Sequence, residues 1–501
     1  MLRQDYRRFG WIGGGGLLVA GLAGLCATTS ALAQGSNGRA FDQAFIEAIA
    51  KTESSVVAIF AIRGSDPGNP DSPDFIPRQF GAGIIFAPAG QPGKRLILTN
   101  YHVVRGGAVV GRDADNNTLR LLAQFPRRRS CDLKIIAADP RSDLAVLEID
   151  FAALGVGPAK LRPIEIGGAT GIRKGQTVLA LGNPYAIARD GSASASWGRI
   201  SNISRRPAPA SKEQPAGEWV TDELIHSSGT LLVVDTRLDL GTSGGPLVDL
   251  DGRLIGITTS LAALEGYEKS VGFAVPVNTG VRRMIEALAL GLEVEYGFLG
   301  VLLTDVSAEE LARDAPGRVS DQVTAARAKN VLKDSPAESA GLVNKDIVLS
   351  INDVAIHDDA DVIREIAMLG VGTTARLRIW RPGAQSELIL TAKLGKWPVR
   401  NIQDIIATRH RFPRWRGLRV DHSTGRQQYN PGSRSYKAVV VAHVEPDSAA
   451  AKKGLAPGDF ITHVDRQMVQ TPEEFDKATR QRPPGNVTVT LLSGKSVLLP
   501  P

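Results

Sequence analysis

Between Val56 and Val277 short apolar runs alternate with breaks at Gly, Pro and Asn, the pattern of a many-stranded β fold. Leu96–Leu98, Leu144–Leu147, Leu231–Val234, Leu247–Leu250 and Leu254–Thr258 are apolar almost throughout and predict buried strands. Helical spacing appears elsewhere. Phe41, Phe45, Ile46 and Ile49 predict an amphipathic helix over Phe41–Thr52, and Val281–Leu290 predicts a short helix closing the β-rich region. Amphipathic helices are also expected over Asp359–Leu369 and Pro472–Arg480. Ser65–Pro77, rich in Pro, Asp and Gly, and Arg205–Gly217, rich in Pro and Ala, read as long surface loops.

The second half of the chain contains an internal repeat. Ala340–Asn352 recurs as Lys453–Asp465, with Gly341 matching Gly454 and Asp346 matching Asp459 at one offset. Each copy follows a Ser-x-Ala or Ser-Pro-Ala turn and precedes one of the two later helices. Such self-similarity marks a structural unit used twice.

Chemistry is most visible in Gly241-Thr242-Ser243-Gly244-Gly245-Pro246, a serine in a loop of small residues between apolar runs. Glycines let the backbone turn sharply and let a substrate carbonyl approach main-chain N–H groups. Taken alone, the loop fits the elbow of an α/β-hydrolase, the G-x-S-G-G loop of a chymotrypsin-like protease, or an ordinary glycine turn. Chain order separates the two enzymes, because a hydrolase elbow is followed by its acid and then its histidine. Here a histidine and an acid both come first: His102 ends the β-rich run Leu96–Val104, and Asp143 stands at the mouth of the apolar run Leu144–Leu147. His357, His410, His422, His443 and His463 follow Ser243 but lie within or beside the repeat units, which leaves an esterase of α/β-hydrolase type poorly supplied.

The stretch from about Phe41 to Leu290 resembles the protease domain of the HtrA/Deg family of trypsin-like serine proteases. Ile97–Val104 carries its histidine motif, Ser142–Leu147 its aspartate motif, Gly241–Leu247 its nucleophile motif and Gly272–Val277 its closing strand. Gly81–Ile85 and Leu181–Pro184 are smaller echoes, and Thr242 departs from the family's usual Asn. The repeat resembles a pair of PDZ domains in the bacterial arrangement. The resemblance implies a mostly β chain: a chymotrypsin-like double β-barrel protease domain at 38–291, followed by α+β PDZ domains at 295–396 and 413–499. It implies catalytic His102, Asp143 and Ser243, and an oxyanion hole from the Gly241 and Ser243 N–H groups. A specificity pocket would lie along Gly256–Thr259, with Ile257 and Thr258 in its wall. The position six before the nucleophile is Arg237, which argues against a preference for basic side chains. The resemblance also places a carboxylate-binding loop at Phe298, Leu299, Gly300 and Val301 in the first PDZ domain. Tyr296 replaces its usual Arg, and in the second domain Arg416 replaces an apolar residue of Trp415-Arg416-Gly417-Leu418.

Composition narrows this little. The chain has 501 residues, 43% hydrophobic and 22% charged, as expected of several ordinary globular domains. Arg3, Arg7 and Arg8, an apolar Gly-rich stretch from Trp11 to Cys26, and Ala31-Leu32-Ala33 predict a cleaved signal peptide over 1–33. Its removal would take three Arg and one Asp, lowering the formal charge from +7 to +5, too mild a balance to argue for nucleic acid. It would also leave Cys131 unpaired. Neither C-x-x-C nor H-E-x-x-H occurs, so neither metal nor cofactor is expected. Phe125–Arg129 reads as a solvated hairpin tip and Arg409–Arg416 as a basic linker.

The expected activity is that of an exported, ATP-independent serine endopeptidase of the periplasm or cell envelope, regulated by PDZ binding of peptide ends. Its partners would be unfolded polypeptides, protein C-termini and further copies of itself in a homotrimer or larger assembly. The alternative is a chaperone or scaffold with a resting protease domain.

Overall fold

The computed structural model describes residues 39–62, 79–105, 120–169, 171–183, 190–205, 225–259, 272–315, 322–384, 386–480 and 485–501. The expected signal peptide, the Ser65–Pro77 loop and nearly all of Arg205–Gly217 lie outside the described residues.

Two closed six-stranded antiparallel barrels form the first half. One runs through Val56–Ile62, Gln79–Phe86, Leu96–Asn100, Leu144–Ile149, Arg129–Asp139 and Arg120–Phe125 before returning to its first strand. The other runs through Thr177–Gly182, Ser194–Arg205, Leu231–Val234, Gly272–Pro276, Arg253–Thr259 and Pro246–Val248. The strands read as unbroken apolar runs because alternate positions feed different cores. Leu96, Leu98, Leu144 and Val146 join a cluster that also takes Leu179, Leu181, Val248 and Ile257 from the second barrel. Ile97, Ala145 and Leu147 point the other way, into the core of the first barrel. A strand buried on both faces has no polar side to alternate.

The expected helices are present. Residues 39–52 are helical and pack Ala48, Phe45 and Ile49 against the cluster between the barrels. Thr279–Ala289 closes the second barrel with Val281, Met284, Ile285 and Leu288 in the same cluster, and its first turn is capped by the Asn278 side chain, which accepts from Val281 N. Phe125–Arg129 is a hairpin tip, a tight turn in which Arg127 and Arg128 take the left-handed φ values 66° and 60°.

Two further five-stranded paths follow. The first begins at the edge strand Val301–Val306 and carries the helix Asp359–Leu369; the second begins at Leu418–His422 and carries Pro472–Arg480. Each has its own apolar core. The connection between them turns back to the protease half, where Ile406–Ala407 pairs with Ala138 and Ala137 as a seventh strand on the first barrel. On that route the Asp404 carbonyl accepts from Tyr101 Oη at 3.0 Å, one residue before His102. Among the described residues no helix is long and apolar enough to cross a membrane.

Candidate active site

His102 and Asp143 meet on the first barrel. The strand Leu96–Asn100 runs into a short helix, Tyr101–Arg105, which sets the imidazole beside the turn preceding Leu144–Ile149. His102 Nδ1 lies 2.9 Å from Asp143 Oδ2 and 3.0 Å from Oδ1, and the His102 backbone N–H donates to Oδ1 at 3.0 Å. The carboxylate is almost fully buried and the imidazole side chain is 12% exposed. A buried carboxylate is tolerable only when it is hydrogen-bonded, and Thr259 Oγ1 supplies another donor at 3.3 Å. Thr259, expected only as part of the specificity-pocket stretch Gly256–Thr259, thus serves the buried carboxylate, a role its sequence position did not signal.

Asp143 has φ of 53°, a left-handed conformation that costs an L-residue on the order of 1 kcal/mol. Its own carbonyl accepts from Tyr101 N and from Asn100 Nδ2, both at 3.0 Å, and its N–H donates to Pro140 O at 3.3 Å. The two residues just before the histidine therefore clamp the aspartate.

The serine loop comes from the second barrel and packs onto the strand Gln79–Phe86 and onto Thr99 in the neighbouring strand that leads to His102. Ala82 N donates to Ser243 O at 2.7 Å, and Gly81 is wedged between Val103 and that carbonyl: a Cβ there would fall 2.6 Å from Val103 Cγ2 and 2.9 Å from Ser243 O. Gly244 has φ of 84°, and a side chain on it would strike Thr99 Oγ1 at 2.2 Å and Ala82 O at 2.3 Å. Only glycine allows this approach. Ser243 itself is buried.

Within the loop the N–H groups of Thr242, Gly244 and Gly245 donate to Asp239 O, Thr258 O and Thr242 O. None of those three can face an incoming carbonyl oxygen. Thr242 Oγ1 adds a bond to Asp239 O at 2.7 Å, so the threonine in place of asparagine ties the loop to its own base. Ile257 and Thr258 are buried in the strand Arg253–Thr259; Thr258 Oγ1 bonds Thr242 O at 2.6 Å and Gly245 O at 3.0 Å, fastening this strand to the serine loop. Arg237 is 81% exposed on its side chain and pairs with Asp239 at 3.0 Å.

The residues expected to form a carboxylate-binding loop, Phe298 to Val301, lie at the entrance of the first repeat unit. Gly297–Phe298 pairs with Gly395–Lys396, Leu299 is buried in the core, Gly300 has φ of 82°, and Val301 opens the edge strand. Tyr296, which takes the place of the usual arginine, is buried and donates to Asp139 Oδ2, four residues before Asp143. Burial, and then the Asp139 charge, push its hydroxyl pKa well above normal, so it remains a donor. Among the described residues no group of three or more His, Cys, Asp or Glu could hold a metal ion.

The Trypsin-like peptidase domain family matches residues 81–257, and the PDZ domain family matches residues 297–391 and 440–493. Together with the barrels and the two repeat units, this defines a trypsin-like serine endopeptidase carrying two PDZ domains. The chain is 28% identical over 407 residues, 79% of its length and 68% of the relative's, to a Bartonella henselae protein named "Probable periplasmic serine endoprotease DegP-like". An Ectopseudomonas mendocina protein of the same name is 29% identical over 425 residues, 83% of this chain and 78% of its own. Among solved structures, one titled "HtrA-type protease AlgW with decapeptide" aligns over 71% of this chain and 99% of its own at 24% identity, with a TM-score of 0.47. The chain thus carries a trypsin-like peptidase domain followed by two PDZ domains, and it is similar to proteases named DegP-like.

Proposed function

We propose that His102, Asp143 and Ser243 are the catalytic triad of an exported endopeptidase that cuts unfolded or damaged proteins of the cell envelope without ATP. The observation that carries this reading is the Nδ1–carboxylate contact at 2.9 Å, beside the strand onto which the serine loop is packed. Ser243 attacks the scissile carbonyl while His102 takes its proton and later returns it to the leaving amine. Asp143 holds the tautomer with the proton on Nδ1 and stabilises the imidazolium. The N–H groups of Gly241 and Ser243 serve the oxyanion, each typically worth about 10²–10³ in rate. The specificity pocket runs along the strand that holds Ile257 and Thr258, whose own side chains are committed to the core between the barrels and to the serine loop. Arg237, turned to solvent, supplies no carboxylate for a basic side chain.

In this reading the protease domain spans 38–291 and the PDZ domains 295–396 and 413–499, behind a signal peptide at 1–33; the family matches fall inside these limits. Relatives named periplasmic support the same location for this chain. The loop Phe298–Val301 takes the carboxylate of a peptide end, which adds as a strand beside Val301–Val306. Assembly into a trimer or larger oligomer is supported by an aromatic patch. Phe41 and Phe45 rings are 4.7 Å apart, Phe45 and Trp197 5.7 Å, and Phe41, Ile46 and Trp197 are exposed.

The test is casein degradation by the full-length protein beside Ser243→Ala. The expected result is a loss on the order of 10⁶ in kcat with the fold retained, and Ser243→Ala that still cleaves casein refutes the nucleophile assignment. Labelling by a fluorophosphonate, with and without a C-terminal apolar peptide, separates this reading from a silent scaffold.

A further inference from the structure

A buried histidine outside the proposed triad grips the turn that carries Asp143. His226 lies on a short helical turn, Ile225–Ser228, and is 1% exposed. Its Nε2 is 2.9 Å from the Ser142 carbonyl, and its Nδ1 is 2.5 Å from Thr230 Oγ1. A carbonyl can only accept, so Nε2 carries the hydrogen; Nδ1 of the neutral ring then accepts from the Thr230 hydroxyl, which is also buried. Burial lowers the imidazole's pKa below the ordinary value, against the opposing pull of the Ser142 bond and of Asp143 and Asp139, which keeps the ring neutral and this bonding pattern fixed.

The geometry matters because the Ser142 C=O and the Asp143 N–H belong to one peptide plane, whose tilt sets φ at Asp143. That φ is 53°, a conformation a non-glycine residue keeps only when its surroundings hold it. Ile225 N donates to the carbonyl of Arg141 at 2.9 Å, so two successive residues of the second barrel hold two successive carbonyls ahead of Asp143. Tyr101 and Asn100 hold the next peptide plane, Asp143–Leu144, through the Asp143 carbonyl.

We infer that His226 is a positioning residue for the protease reaction: oriented by Thr230, it fixes the Ser142–Asp143 peptide plane and thereby the carboxylate that orients His102. This rests on the triad reading above. A histidine that merely filled the core would affect stability alone. A positioning histidine affects turnover, since displacement of a catalytic group by about 1 Å can cost on the order of 10² in rate.

The full-length protein is compared as wild type, His226→Phe, His226→Gln, Thr230→Val and Ser243→Ala. Readouts are kcat and KM on fluorescein-labelled casein, the rate of fluorophosphonate labelling, and thermal unfolding. His226→Phe keeps a ring but loses the donor, and kcat and the labelling rate should fall roughly 10- to 10²-fold with KM little changed. His226→Gln can still direct an N–H at the Ser142 carbonyl and should recover most of that loss. Thr230→Val, which keeps the shape of the side chain, should lower kcat several-fold, and it decides the matter if His226→Phe fails to fold. Wild-type kcat in a folded His226→Phe or Thr230→Val protein overturns the inference, as does an equal loss of kcat in the Phe and Gln variants. If Ser243→Ala is silent and His226→Phe is fully active, the inference alone fails; if Ser243→Ala cleaves casein, the triad reading fails first.

Discussion

The two PDZ domains enter their sheets through matching loops, yet their edge strands face different surroundings. Gly300 and Gly417 have φ of 82° and 85°, and the loop carbonyls of Leu299 and Arg416 accept from Ala337 N and Ala450 N. Beyond the loops the resemblance stops. In Val301–Val306 only the last residue is buried, and Leu302, Thr304 and Asp305 are exposed; in Leu418–His422 three of five residues are buried and none is exposed. The second groove shares a cavity with the linker leading into it, lined among others by Arg411, Phe412, Trp415, Leu418 and Phe475. Leu299 plugs the first core, whereas Arg416 sends its guanidinium to the carbonyls of Leu499 and Gly485 and lies over the Trp415 ring at 4.7 Å. One repeated pattern thus builds the same sheet twice, while the neighbours decide which edge is left open.

What ties the second domain to its neighbours is ionic and buried. Lys396 Nζ sits 3.0 Å from Asp421, 3.0 Å from Glu293 and 3.3 Å from Glu295, and Arg426 bridges Glu293 at 3.0 Å and Asp421 at 2.7 Å. Burial alone would discharge these groups. Opposite charges win, so Lys396 titrates above its normal value, and Glu293 and Asp421 lie below the ordinary carboxylate range. The largest break in the comparison should therefore come from Lys396→Met, which leaves three carboxylates without their shared cation. A loss of about 3–5 kcal/mol is expected, read in thermal unfolding, together with faster proteolysis of the linker at 409–413. The same cluster predicts acid sensitivity. Glu293 and Asp421 bind fewer protons folded than unfolded, so their contribution is full above about pH 5 and drains as pH falls below it. A Lys396→Met protein whose stability falls with acid as steeply as the wild type's would show that the cluster is not the tie.

A paired glycine experiment sharpens the comparison further. A Cβ at Gly300 would fall 2.5 Å from Ser335 Cβ, and one at Gly417 2.1 Å from Ser448 Cβ, so Gly300→Val and Gly417→Val deform equivalent loops to similar degrees. A fluorescein-labelled peptide with an apolar C-terminus should lose roughly 10²-fold in affinity, about 2.7 kcal/mol, with Gly300→Val and almost nothing with Gly417→Val. Equal losses by anisotropy titration would mean that the covered edge also binds peptide ends.

Much of this architecture could be read from the chain because its signals are local. The helices Asp359–Leu369 and Pro472–Arg480 fall at the expected residues, since an apolar stripe and a capping side chain are both encoded within a dozen positions; Asp358, for one, accepts from Asp361 N at 2.8 Å. The pairing of His102 with Asp143 was legible through residue order and flanking apolar runs. What escaped is long-range. His226 gives no local sign that it will meet Ser142, 84 residues away. The barrel strand Ile406–Ala407 is only two residues long and too short for any periodicity. Glu293, Lys396, Asp421 and Arg426 each look like solvated charges until the fold encloses them together.

The smallest effect should come from Arg416 itself. Its guanidinium loses hydration inside the domain, which lowers its pKa, and it regains two carbonyl bonds and the face of Trp415. A charged donor to a neutral acceptor and a half-exposed cation–π contact together contribute about 1–2 kcal/mol, part of which water would restore. Arg416→Leu trades those bonds for apolar contact of the kind Leu299 makes in the first core. Thermal unfolding should therefore shift by no more than about 1 kcal/mol in either direction, and the second domain should still bind peptide ends no better than the wild type. Tight binding gained by Arg416→Leu would place the difference between the two domains in one side chain of the loop, and the linker across the groove would lose its part in it.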